Sequence, residues 1–204
     1  MRKNVLLIAV ALFSVGLLSG CASLKGNVPF QYQPSLISNT ERINKSVGFN
    51  IVKDGRSQQD IKSNEKTLKD VPNKVTYKMM EDFKSSGIFE EVNFPSQESD
   101  DIIINGTLNR FSWKVNTNWF SVIFFPLVYL GLPLETHVGD VDISLEIVDK
   151  ESGKVLGNIQ GSGSESSTYS LYNYPVGEFG SELAEAFRES VKQLKEKMLS
   201  EINF

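Results

Sequence analysis

Residues 141–160 read VDISLEIVDKESGKVLGNIQ. Val141, Ile143, Leu145 and Ile147 alternate with Asp142, Ser144 and Glu146. A strict period of two places every apolar side chain on one face of an extended chain, so this is a half-buried antiparallel strand. Asp149-Lys150-Glu151-Ser152-Gly153 is turn chemistry. Lys154 to Gln160 is therefore expected to return as the second strand of a hairpin, running on through GSGSESS.

Working outward, Ile102 to Val115 is the longest strand signal. Its apolar side chains fall at Ile102, Ile104 and Leu108, then at Phe111, Trp113 and Val115. The parity changes between 108 and 111, and a bulge near Asn109 and Arg110 restores the inward face. Val47 to Val52 and Ile88 to Phe94 read as shorter strands, and Phe30 to Ser38 as an extended segment. The polar stretch Asp54 to Asp70 reads as a long loop.

Two helices complete the pattern. Pro72 suits a first helical position, Val75, Met79 and Phe83 form one stripe, and Gly87 suits the left-handed end. Ser181 opens the second helix, with Leu183, Phe187, Val191, Leu194, Met198 and Ile202 on one face. Glu182 and Glu185 early, and Lys192, Lys195 and Lys197 late, complement the helix dipole. The expected fold class is α+β: a single twisted, mainly antiparallel sheet with two helices packed on one face.

The amino terminus fixes the location. Arg2 and Lys3 precede an uncharged apolar run, Val5 to Leu18, and Leu18-Ser19-Gly20-Cys21 follows at once. This resembles the bacterial lipoprotein signal. The resemblance implies a signal peptide at 1–20, a diacylglyceryl thioether and an acylated amino group on Cys21, a lipidated tether at 21–29, and a single domain at 30–204. Ala22 follows the cysteine where the inner-membrane retention signal of Gram-negative lipoproteins is Asp, which implies anchoring in the outer membrane with the domain in the periplasm. The order of elements from about 47 to 200 also resembles a loose group of small periplasmic α+β domains. It includes the curli-secretion lipoprotein and the amino-terminal domain of the Tol-system propeller protein. No functional residue carries over from that likeness.

Removing the first 20 of 204 residues leaves 184, enough for one ordinary core. Removing Arg2 and Lys3 from the 21 basic side chains leaves 19 against 25 acidic ones, a net charge of −6. With no basic block, nucleic acid is not an expected partner. Cys21 is the only cysteine, so once it is lipidated neither disulfides nor thiol chemistry is expected.

Catalytic motifs are sparse. His137 is the single histidine and reads as a loop residue; no G-x-S-x-G elbow accompanies it. Gly161-Ser162-Gly163-Ser164 lacks the Lys of a phosphate loop. Glu98, Asp100 and Asp101 lack calcium-loop spacing and read as a solvated acidic loop. Tyr169, Tyr172 and Tyr174 could make a contact surface or pack a sheet edge. No metal, cofactor or enzymatic activity is expected.

One stretch stands apart: residues 119–134, WFSVIFFPLVYLGLPL, carry no charge. Sixteen helical residues reach only about 24 Å, and Pro126 and Pro133 interrupt the run, so a membrane helix is not expected. Three readings remain open. The stretch is core, with a strand up to Phe125; or a loop that touches the bilayer near the anchor; or a surface for an envelope partner or a second copy of the chain. Trp119, Phe120, Phe124, Phe125, Tyr129 and Leu130 are the candidate contact residues. The expected function is that of a membrane-anchored, non-enzymatic envelope-assembly or complex-accessory protein. The alternative is a carrier holding an apolar ligand between sheet and helices.

Overall fold

The computed structural model describes residues 32–34, 42–64, 69–175 and 180–204. The expected signal at 1–20, Cys21 and the tether at 21–29 lie outside the described residues. Six strands form one sheet: β1 (Ile43–Phe49), β2 (Lys53–Asp54), β3 (Phe89–Asn93), β4 (Ile102–Thr117), β5 (Glu135–Asp149) and β6 (Val155–Tyr169). The strand order is β3-β1-β4-β5-β6, with β2 continuing beyond β1 along the edge of β4. The α+β class is as expected.

The long ladders β4–β5 and β5–β6 are antiparallel. The register of β4 against β5 shifts between Leu108 and Arg110, where the sequence parity requires it. β6 continues through Gly161 to Ser167. The other side of the sheet differs from expectation: β1 is parallel to both β3 and β4. Its link to β3 holds α1 (Gln58–Asn64) and α2 (Val71–Ser86), the crossover that parallel strands need. The stretch expected as a loop, 54–70, thus supplies the end of β2 and the short helix α1.

The link from β3 to β4 crosses β1 at Gly48. A Cβ there would lie 2.1 Å from Asp100 Oδ2 and 2.7 Å from the Ser96 backbone, so only glycine permits the crossing. Glu98 and Asp101 are exposed, as expected of a solvated acidic loop, but Asp100 is not, and both aspartates pin the link. Asp100 is buried and accepts from Asn93 Nδ2 at 2.8 Å and from the Gln97 N–H at 2.5 Å. Asp101 accepts from the Ser46 N–H at 2.8 Å and from its hydroxyl at 2.7 Å, and these bonds hold its carboxyl below the usual range.

α2 and α4 (Ser181–Glu201) pack on the same face of the sheet. Val75, Met79 and Phe83 of α2, and Leu183, Phe187, Val191, Leu194 and Met198 of α4, are fully buried, as their spacing predicts. Each contributes about 1.5–3 kcal/mol by leaving water. α4 lies unusually close to β5 and β6. A Cβ on Gly163 would meet the Ala186 carbonyl oxygen at 1.9 Å, and one on Gly139 the Leu183 nitrogen at 2.5 Å. Phe49, Phe83, Phe111, Phe187 and Met79 fill the space between helices and sheet where a carried ligand would sit.

Lys195 departs from its expected dipole role. Its side chain is fully buried and its ammonium contacts the equally buried carboxylate of Asp82, joining α4 to α2.

Candidate contact surface

β4 and β5 are the arms of a hairpin whose far end is closed by residues 118–134. This tip is not a strand. It folds as α3 (Trp119–Ile123) followed by a 3-10 helix, Phe125–Leu130. Asn118 caps α3, its side-chain oxygen accepting from the Phe120 N–H at 3.1 Å. Pro126 sits in the first turn of the 3-10 helix, and Gly131 closes it at φ 92°.

The tip turns its polar groups inward. The buried Ser121 hydroxyl donates to the Pro133 carbonyl. The Asn118 N–H donates to the Leu134 carbonyl at 2.8 Å, and the Leu134 N–H to the Tyr169 carbonyl at 2.7 Å. Tyr172 lies against the tip and donates its phenol to the Tyr129 carbonyl. Among the apolar side chains of 119–134 Val128 alone is buried.

Most of the rest face outward, while Leu132 and Leu134 are half-buried. Leu130 is 80% exposed, Val122 66%, Ile123 61%, Trp119 58% and Tyr129 57%. Phe120, Phe124 and Leu127 are exposed as well, and Phe125 is half-buried. The reading of this stretch as core is therefore overturned. An apolar run has the same composition whether it is buried or displayed, and here a short capped helix displays it. The rings of Trp119 and Phe120 lie 3.8 Å apart, and those of Phe125 and Tyr129 5.8 Å apart. Soluble domains rarely expose a contiguous apolar patch of this kind.

Directly beneath the tip is a neck of polar and aromatic groups. His137 is not a loop residue; it lies fully buried in β5. Its Nε2 is 3.3 Å from Glu135 Oε2, and its ring packs against Trp113, Tyr169 and Tyr174. Tyr174 donates to Glu135 at 2.8 Å; burial, with that carboxylate's help, pushes its phenol up to about 12. Glu182 is also buried. Desolvation favours its protonated form, but bonds from Tyr169, its own backbone and Trp113 outweigh this and hold its carboxyl below the usual range. Two of the three clustered tyrosines thus brace the neck, and Tyr172 braces the tip.

The described residues hold no group of three or more histidine, cysteine, aspartate or glutamate side chains able to bind a metal ion. A shallow depression of about 390 Å³ lies on the open face of the sheet, lined by polar side chains including Lys53, Asn105, Glu146 and Gln160. None of the described helices is long and apolar enough to cross a membrane.

No protein-family model matches the chain, and no curated protein matches it in sequence. Solved structures do. Protein XCC0632 from Xanthomonas campestris, of the DUF330 family, superposes with a TM-score of 0.52 at 8% identity, over 83% of this chain and 92% of that one. A homologue of the neuraminyllactose-binding hemagglutinin from Helicobacter pylori gives 0.44 at 9%, over 86% and 94%. Lipoprotein GNA1162 from Neisseria meningitidis gives 0.34 at 11%, over 76% and 96%. The first likeness shows a shared fold and nothing about activity; the two looser ones carry no argument.

Proposed function

We propose that this chain is a lipid-anchored protein of the bacterial envelope that acts by contact rather than by catalysis. Acyl chains on Cys21 hold it on the membrane, and the tip at 119–134 is the contact surface. The single observation that carries the reading is the tip itself: an uncharged, internally bonded element that displays Trp119, Phe120, Phe124, Tyr129 and Leu130 at the far end of the sheet. Exposing these side chains is unfavourable unless another apolar surface takes them up. The residue after Cys21 is Ala22, which supports the outer membrane as the site, with the domain in the periplasm.

Two measurements test the reading. Cys21→Ser abolishes labelling by radioactive palmitate and releases the chain from membranes; continued acylation refutes the anchor. Phe124→Ser with Leu130→Ser leaves the domain folded, because both side chains are exposed, and removes the contacts made by the tip. Cross-linking that recovers the same neighbours from wild type and variant sinks the tip as the contact surface.

A further inference from the structure

We infer that the tip seats in the interfacial layer of the phospholipid bilayer that holds Cys21, so that the long strands stand end-on to the membrane. This rests on the lipid-anchored reading and names what the tip touches. Four observations carry it.

The first is reach. Tyr32 packs edge-on against Phe187 at 4.8 Å, and Phe187 lies over Phe111, opposite Val141 in the sheet. From Val141 to Glu135, at the base of the tip, is about 20 Å of strand. Cys21 precedes Tyr32 by eleven residues, a span of at most about 40 Å. The anchor and the tip can therefore lie in one plane. The tether also keeps the tip near that bilayer at a high local concentration, an advantage no free partner has.

The second is backbone chemistry. A chain that enters an apolar phase must satisfy its own amide groups. In the tip a capped helix, a 3-10 helix and the bonds from Asn118, Ser121 and Leu134 pair backbone groups internally. The third is charge. Residues 115–134 carry none. The nearest carboxylate, on Glu135, is turned into the neck by Tyr174 and His137. Asn116, Thr117, Thr136 and Thr168 ring the base with uncharged polar groups suited to the headgroup layer. Arginine, which protein interfaces enrich, is absent from 115–134. The fourth is size and composition. α3 is about 7.5 Å long, far short of the roughly 30 Å of hydrocarbon that a crossing needs. Trp119, Tyr129 and Tyr172 are residues that favour such an interface.

The test uses the full lipidated chain in phosphatidylcholine vesicles whose lipids carry bromine near the glycerol. Trp119 emission shifts to the blue and is quenched by the bromine. Trp119→Phe removes the quenched component and leaves that of the buried Trp113. Val122→Asp with Ile123→Asp loses the quenching while the chain still sediments with the vesicles through Cys21. Adding anionic lipid or salt changes none of this. A chain that sediments with Trp119 unquenched and open to aqueous iodide overturns the inference and leaves the anchor standing; a second copy or a protein then covers the tip. A chain that is not acylated but still shows a quenched Trp119 keeps the tip as a bilayer-seating surface and refutes the anchor. A chain that neither is acylated nor sediments refutes both.

Discussion

Breaking the pair between Asp82 and Lys195 tests whether the two helices are locked as described. Both side chains are fully buried, and the residues lie 113 positions apart. Burial pushes the Lys195 ammonium below its ordinary value, and Asp82 opposes that shift without cancelling it. The two charges therefore need each other more than the fold gains from them. Removing one partner leaves the other charged and dry, at a cost of about 3–5 kcal/mol. For a chain of this size about 1 kcal/mol moves Tm by about 2–4 °C, so Lys195→Met lowers it by about 6–20 °C. Asp82→Leu with Lys195→Met removes both charges and falls between neutral and about 4 kcal/mol more stable. The assay is urea unfolding of each single variant and of the double, followed by tryptophan fluorescence and by circular dichroism, with the coupling read from the cycle. A Lys195→Met loss below about 1 kcal/mol, the range of an exposed pair such as Lys78–Glu81, refutes the reasoning. So does a double variant that loses the sum of the two singles.

Two further outcomes follow from the same geometry. Gly163→Ala puts a methyl into the backbone of α4, and costs about 1–3 kcal/mol in a thermal melt; an unchanged melt means the helix does not lie there. Tyr174 is raised to about 12 in the folded chain against 10.0 unfolded. Its proton is therefore held more tightly when folded, and its stabilising share is complete below pH 10 and is lost as pH rises towards 12. Tyrosinate absorbance read alongside urea unfolding shows a steeper decline in wild type than in Tyr174→Phe, where Tyr169, also raised by burial, still contributes.

The elements with a clean period were legible in the sequence. The alternation at 141–147, the parity break at 109–110 and the stripe from Leu183 to Met198 each correspond to one face of one element, and the structure has them. Pairing direction was not legible. Alternation says which face of β1 is buried, but nothing about whether its neighbours run with it or against it. Nor could the sequence show that the carboxylate of Asp82 would find Lys195, since a helical position one turn from other lysines looks solvated until α2 is laid beside it. His137 was hidden for the same reason: the aromatic groups that surround it come from two distant stretches, Trp113 in β4 and Tyr169 and Tyr174 at and just beyond the end of β6. The tip was legible as unusual and not as exposed, because what distinguishes a displayed apolar run from a buried one is the cap at Asn118 and the inward Ser121, which only the fold reveals.

The place of β1 in the sheet sets an order on folding. The strands β4, β5 and β6 are joined by antiparallel connections and can meet as soon as they are made. β1 is flanked by β3 and β4, both later in the chain and both parallel to it. It cannot be seated until the crossover through α2 has closed and the link over Gly48 has been drawn across it. The part of the domain nearest the amino terminus is thus the last to be installed.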